Sequence, residues 1–243
     1  GRFHLADVTL RIDTRNDVFN PWAGWYLLAN FEHGAGTIDE PGTVSPDVGA
    51  VATGRARYER GFLDVRRYNR LTPRAALNVR FVAGGWLGGG PLPLERRLSI
   101  DGPGTVPGFD FRSDRAPDVG TCGIGGTTSL PGMPAQCERI ALVQLEYRSD
   151  LHLSFRTGGG GARPRRLRAD GAWVFFTDAG RGWLVNAPAN SLNLGRSDLP
   201  PLSTYRTDIG AGLDFDLLGV YVAKALSAPR EPMNVFVRLR HRF

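Results

Sequence analysis

The chain has 243 residues, 42% hydrophobic and 22% charged, which bounds it to one sizeable domain and excludes both a disordered polymer and a helical membrane protein. No uncharged apolar run approaches the roughly 18 residues that a membrane helix needs. The net charge of +6 rests almost wholly on arginine, since Lys224 is the single lysine, and most arginines sit beside acids, as in Arg11-Ile12-Asp13-Thr14-Arg15. That pattern describes a salt-bridged surface, not a phosphate-binding patch, so nucleic acid is not an expected partner. The main exception is a short basic cluster from Arg163 to Arg168 in a Gly-rich connection.

Taken in order, the chain reads as strands punctuated by its 32 Gly and 17 Pro. Phe3 to Arg15 alternates, with Val8, Leu10 and Ile12 on one face and Asp7, Thr9, Arg11 and Asp13 on the other. Asn16 to Pro21 is turn chemistry. Gly24 to His33 resumes as a strand, with Trp25, Leu27, Ala29 and Phe31 on one face, and Gly34 to Gly54 is a polar loop. Arg57 to Asn69 and Arg74 to Gly85 form the next pair, joined by Leu71-Thr72-Pro73, and Leu77, Val79, Phe81 and Ala83 make a clean apolar face.

Gly88 to Glu138 has little strand pattern, and a connection of about fifty residues in a compact domain usually has a function. Its cysteines, Cys122 and Cys137, are the only two in the chain. With no His nearby they make a poor metal site and predict a disulfide and an oxidising compartment, two unrelated free thiols being the alternative. Arg139 to Arg148 alternates again, and Leu151 to Phe155 extends this strand or forms a short one of its own. Gly171 to Gly180 is a strand, Gly182 to Ser203 a long loop, and Tyr205 to Phe215, Leu218 to Leu226 and Met233 to Phe243 close the chain. The last of these sets Val235, Val237, Leu239 and Phe243, with His241 the odd member, against Asn234, Phe236, Arg238, Arg240 and Arg242.

Short links near 16–21, 69–73 and 216–217 alternate with long ones near 34–54, 86–138 and 181–203, the link at 149–170 being an exception. Antiparallel strands crossing a membrane produce short turns on one side and long loops on the other. A soluble sandwich has no reason to sort its loops in this way. The expected fold is therefore all-β, an antiparallel transmembrane β-barrel.

Leu10 to Asp17 with Asn20-Pro21 and Gly24, then Leu92 to Phe109, Val174 to Gly180, Ile209 to Leu213 and Phe243, taken in this order, resemble the C-terminal barrel region of the BamA/TamA family, also called the bacterial surface antigen family. Leu10-Arg11-Ile12-Asp13-Thr14-Arg15-Asn16-Asp17 followed by Asn20-Pro21 and Gly24 is similar to the family's Y-D-T-R-D…P-x-G hairpin. Leu92-Pro93 through Val106-Pro107-Gly108-Phe109 resembles its L-P…G-G…T-V-R-G-F segment, the tip of a long loop that folds back into the lumen. Val174 to Gly180 is similar to the strand motif F-x-D-x-G, with Asp178 and Gly180 at its fixed positions. Ile209 to Leu213 resembles G-x-G-L, and Phe243 the C-terminal aromatic of the outer-membrane insertion signal.

The resemblance implies roughly the last eight or nine strands of a larger barrel, or a divergent small barrel, in the outer membrane of a Gram-negative bacterium. It implies outer-membrane lipid as surroundings. Its implied partners are unfolded outer-membrane protein clients or a secreted polypeptide, and its implied role is insertion of outer-membrane proteins or translocation of polypeptide. The alternative is a barrel anchor or secretion pore for a fused passenger such as a patatin-like lipase. A soluble all-β binding protein is the third reading. Beginning at Gly1 without Met or signal peptide, the chain reads as processed, trimmed or a fragment.

One departure stands out. The family's loop arginine, which pairs with the strand aspartate, is replaced here by Pro107, leaving Arg112 or Arg115 as the substitutes for pairing with Asp178. Catalytic chemistry is not expected. His4, His33, His152 and His241 are scattered, without H-E-x-x-H or G-x-S-x-G spacing, and Gly158 to Gly161 lacks the Lys-Ser/Thr of a phosphate loop. No enzyme activity, cofactor or metal is therefore expected.

Overall fold

The computed structural model describes residues 2–38, 54–109, 122, 137–157, 165–185, 193–215 and 218–239. It is all-β, and the expected eight or nine antiparallel strands are observed as nine. They are β1 (Arg2–Asp13), β2 (Gly24–Ile38), β3 (Gly54–Thr72), β4 (Ala75–Gly89), β5 (Arg139–Thr157), β6 (Arg165–Trp183), β7 (Arg206–Phe215), β8 (Leu218–Ala225) and β9 (Asn234–Leu239). They form one sheet in chain order from β1 to β9, each antiparallel to the next. Among the described residues no helix is long and apolar enough to cross a membrane.

Loop sorting is cleaner than the sequence suggests. The expected connection at 149–170 is a correction: β5 runs on through Thr157 and β6 begins at Arg165, the two paired from Thr157↔Arg165 to Arg139↔Trp183. Only 158–164 joins them, so this link falls with the short ones. The arginine cluster from Arg163 to Arg168 had masked the strand, because three cations within four positions interrupt the apolar–polar alternation that marks one.

Alternation divides the sheet into two unlike faces. Val8, Phe31, Phe81, Val143, Phe175, Ile209, Val220 and Val237 occupy one face of eight different strands, and all are exposed, from 39% for Phe81 to 69% for Val8. The opposite face carries Glu32, Asp64, Asn78, Gln144, Glu146, Asp178, Asp208 and Asp214, all at 5% exposure or less. A soluble domain places its side chains the other way round.

The polar face is curled around something. Val82 of β4 and Ala225 of β8 belong to one buried cluster with Ile100, Val106 and Phe109 of the long 90–138 connection. On a flat sheet, four strand spacings would hold β4 and β8 about 19 Å apart. At the short-turn end a second cluster lies on the same face, where Tyr221 stacks on Phe236 at 5.2 Å and meets Phe176 edge-on. Phe176 covers Gly210, so the paired glycines of β7 leave room for these rings.

Candidate functional site

The segment from Leu92 to Phe109 is bent by its own chemistry before it meets the sheet. Gly102-Pro103-Gly104 favours a tight turn, closed by Thr105 N–H to the Gly102 carbonyl at 3.0 Å and by an Asp101–Val106 bridge. The Thr105 hydroxyl donates to the Ile100 carbonyl. Ile100 and Val106 then lie fully buried, with Phe109 beside them. At its root, Leu98 and Cys137 exchange backbone hydrogen bonds at 2.9 and 2.7 Å.

The expected disulfide is present between Cys122 and Cys137, both fully buried in the cluster around the loop. Next to it Glu138 accepts the Val185 N–H at 2.6 Å and faces Arg97 at 3.6 Å. Burial pushes the Arg97 guanidinium below its usual pKa, and the Glu138 carboxylate offsets part of that penalty.

The four loop residues singled out from the sequence form the docking tip. Val106 and Phe109 supply apolar contact, and Arg206 lies over the Phe109 ring at 4.5 Å. The Pro107 carbonyl accepts from Asn234 Nδ2 at 3.0 Å. The Gly108 N–H donates to Asp208 Oδ2 at 2.5 Å. Glycine is required at this point: a Cβ there would lie 2.6 Å from Asp208 Cβ and 2.8 Å from the Ala225 nitrogen. Further contacts come from Arg206 to Asp101 at 2.7 Å and from Arg238 Nη1 to the Pro103 carbonyl at 3.2 Å.

Asp178 is buried on β6 directly opposite Asp208 on β7. Its described link to the loop runs through Gln144, whose Nε2 donates both to Asp178 Oδ1 at 3.1 Å and to the Thr105 carbonyl at 2.7 Å. Arg112 and Arg115, expected to replace the missing loop arginine, lie outside the described residues, as does Phe243. Gly180 sits two residues beyond Asp178 on the same face, where a Cβ would press on Ile100 and Val106 at 2.9 and 3.0 Å.

Around this contact the polar face carries one continuous row. Register places Tyr26, Arg66, Arg80, Gln144, Asp178 and Asp208 side by side across β2 to β7. Arg66 and Arg80 both pair with the neighbouring Asp64, at 2.7 and 2.8 Å, and Arg80 also donates to Gln144 at 3.0 Å. Arg11, Arg15 and Arg66 pack on the Tyr26 ring. Charges held in this way are paired and hydrogen-bonded, the condition under which buried charge is tolerated.

Sequence reasoning named the loop tip and Asp178 but missed Gln144, Asp208, Arg206 and Asn234. Their only signal was position on the polar side of a strand, which many other residues share. Among the described residues no group of His, Cys, Asp or Glu is arranged to hold a metal ion. Compared with known proteins, the chain matches no family model and no curated sequence.

Proposed function

We propose that this chain is part of an outer-membrane β-barrel whose lumen is stoppered by the 92–109 loop. On this reading it serves, as BamA/TamA-type barrels do, in insertion of outer-membrane proteins or passage of polypeptide. One observation carries the membrane reading: eight of the nine strands turn exposed apolar side chains to one side, while β2, β3, β5, β6 and β7 bury acidic side chains on the other. Exposed apolar patches on soluble monomers are usually about 300–600 Å², whereas this face runs the whole width of the sheet. A wall of a transmembrane barrel has this inside-out distribution, apolar towards lipid and polar towards the lumen.

The loop supports the second half of the proposal. It fills the polar side with a pre-folded apolar tip held by separate hydrogen bonds and ion pairs to β5, β7 and β9. Such a stopper fixes the curvature of the wall, because strands far apart in the sheet share one set of loop contacts. The mechanism is mechanical: no bond is made or broken, and the loop's position sets which wall conformation is stable.

The test is semi-native electrophoresis of outer-membrane fractions, boiled and unboiled, probed for this segment. A band whose mobility changes on boiling is the expected result. A protein found in the soluble fraction with no heat-dependent shift overturns the proposal. The role in insertion or passage is tested by depleting the protein and measuring the folded content of other outer-membrane barrels, which should fall.

A further inference from the structure

At the long-loop end of β1, β2 and β3 the outer face of the sheet changes from apolar to basic. Register places His4, Ala35 and Arg57 side by side, and Arg2, Thr37 and Arg55 side by side in the next row out. The direction of these side chains follows from their neighbours. Phe3 stacks on Tyr58 at 5.6 Å, and the buried Tyr58 hydroxyl donates to Glu32 at 2.6 Å on the polar side. Strand alternation then turns Arg2, His4, Arg55 and Arg57 to the outer side, and all four are exposed.

Between the two charged strands, β2 presents Ala35 and Thr37. The result is a trough two strand spacings wide, about 10 Å, with small side chains as its floor. Arg2 and His4 form one bank, Arg55 and Arg57 the other.

These arginines differ from those of the polar face. Arg66, Arg80, Arg148 and Arg206 each have an aspartate within 3.0 Å. Arg2, Arg55 and Arg57 have no acid at salt-bridge distance among the described residues. Glu59, the acid of the adjoining row, faces His33 at 4.0 Å. Three neighbouring cations are thus left for an anion from outside the chain.

What lies beneath the trough says which kind of anion fits. Two rows from Ala35, about 14 Å along the strand, Phe31 and its neighbour Val8 begin the exposed apolar band. A charge in the trough and a hydrocarbon chain on Val8 and Phe31 are within the span of one amphipathic molecule. Basic side chains at the end of a lipid-facing band lie at headgroup level, and guanidinium groups bind phosphate oxygens through paired hydrogen bonds.

We propose that the trough between β1 and β3 binds the phosphate of an anionic lipid in the leaflet at the long-loop end, with an acyl chain lying along Val8 and Phe31. The inference rests on the membrane-spanning reading above.

The test is native mass spectrometry of the full chain in mild detergent, with phosphatidylglycerol, phosphatidylcholine or inorganic phosphate added. Phosphatidylglycerol should stay bound at a concentration several-fold lower than phosphatidylcholine. The triple variant Arg2→Gln, Arg55→Gln, Arg57→Gln should lose that preference. Arg230→Gln, an exposed arginine on the β8–β9 connection, should keep it. Equal retention of the two lipids, or an unchanged preference in the triple variant, overturns the proposal. Displacement of phosphatidylglycerol by an equal concentration of inorganic phosphate would make the trough a site for the free ion, which overturns the assignment to lipid. A fluorophore on Val143→Cys in proteoliposomes, with a quencher on the lipid acyl chain, reports on the spanning reading separately. If that label is quenched and the lipid preference is absent, the trough is overturned and the wall stands. If the label is not quenched, the spanning reading falls and the lipid site falls with it.

Discussion

The backbone N–H of Gly108 donates to the Asp208 carboxylate at 2.5 Å, joining the loop tip to β7. The partner is not Asp178, the acid on the neighbouring strand that the sequence singled out, although the two carboxylates stand directly opposite each other. The loop is therefore latched across both strands, by Asp208 directly and by Asp178 through Gln144.

Removing the latch should loosen the loop without unfolding the wall. Asp208→Ala should cost about 1.5–3 kcal/mol, the range for a hydrogen bond to a charged group. The readout is protease sensitivity of the 90–138 connection together with the temperature at which the boiled form appears. Increased cleavage and a lower conversion temperature are expected; an unchanged protein would show that the Gly108 contact carries no weight.

Gly108→Ala should act on the same latch through space and not through charge. Its new Cβ meets backbone at 2.8 Å, and backbone cannot move aside as a flexible side chain does. A destabilisation of about 1–3 kcal/mol, in the range of overpacking, is expected in the same two assays. Combined with Asp208→Ala, the loss should be clearly less than additive, because both changes break one contact.

On the outer face, Val143→Arg should cost about 2–4 kcal/mol if the position lies near the membrane midplane. Phe19→Arg, in the exposed 14–23 turn, should stay within about 0.5 kcal/mol. Reversible unfolding in lipid vesicles measures both. Equal, small effects would mean that the outer face does not meet hydrocarbon.

Opening the disulfide by the double substitution Cys122→Ser, Cys137→Ser should cost about 3 kcal/mol, as expected for a closed loop of this size. Both sulfurs are fully buried, so reductant should release them for alkylation only after unfolding. Mass shifts after iodoacetamide, with and without denaturant, check this directly.

Strand existence, the two unlike faces and the cysteine pairing were determined by the sequence, because each depends on local rules. A period of two decides which residues share a face, and two lone cysteines without metal ligands leave few options. The start of β6 at Arg165 was obscured, since clustered arginines interrupt the apolar alternation while cross-strand pairing holds the backbone extended.

The latch was decided only by the tertiary structure. Asp208 is one of several acids on the polar side of the strands, and nothing within β7 distinguishes it from Asp214. What selects Asp208 is the depth at which Val106 and Phe109 pack, which sets the height of the Gly108 N–H against the sheet. That height follows from loop packing and strand register together, and neither is visible in a local stretch of residues. The same holds for Gln144, which links Asp178 to Thr105 only because pairing of β4, β5 and β6 brings Arg80, Gln144 and Asp178 into one row.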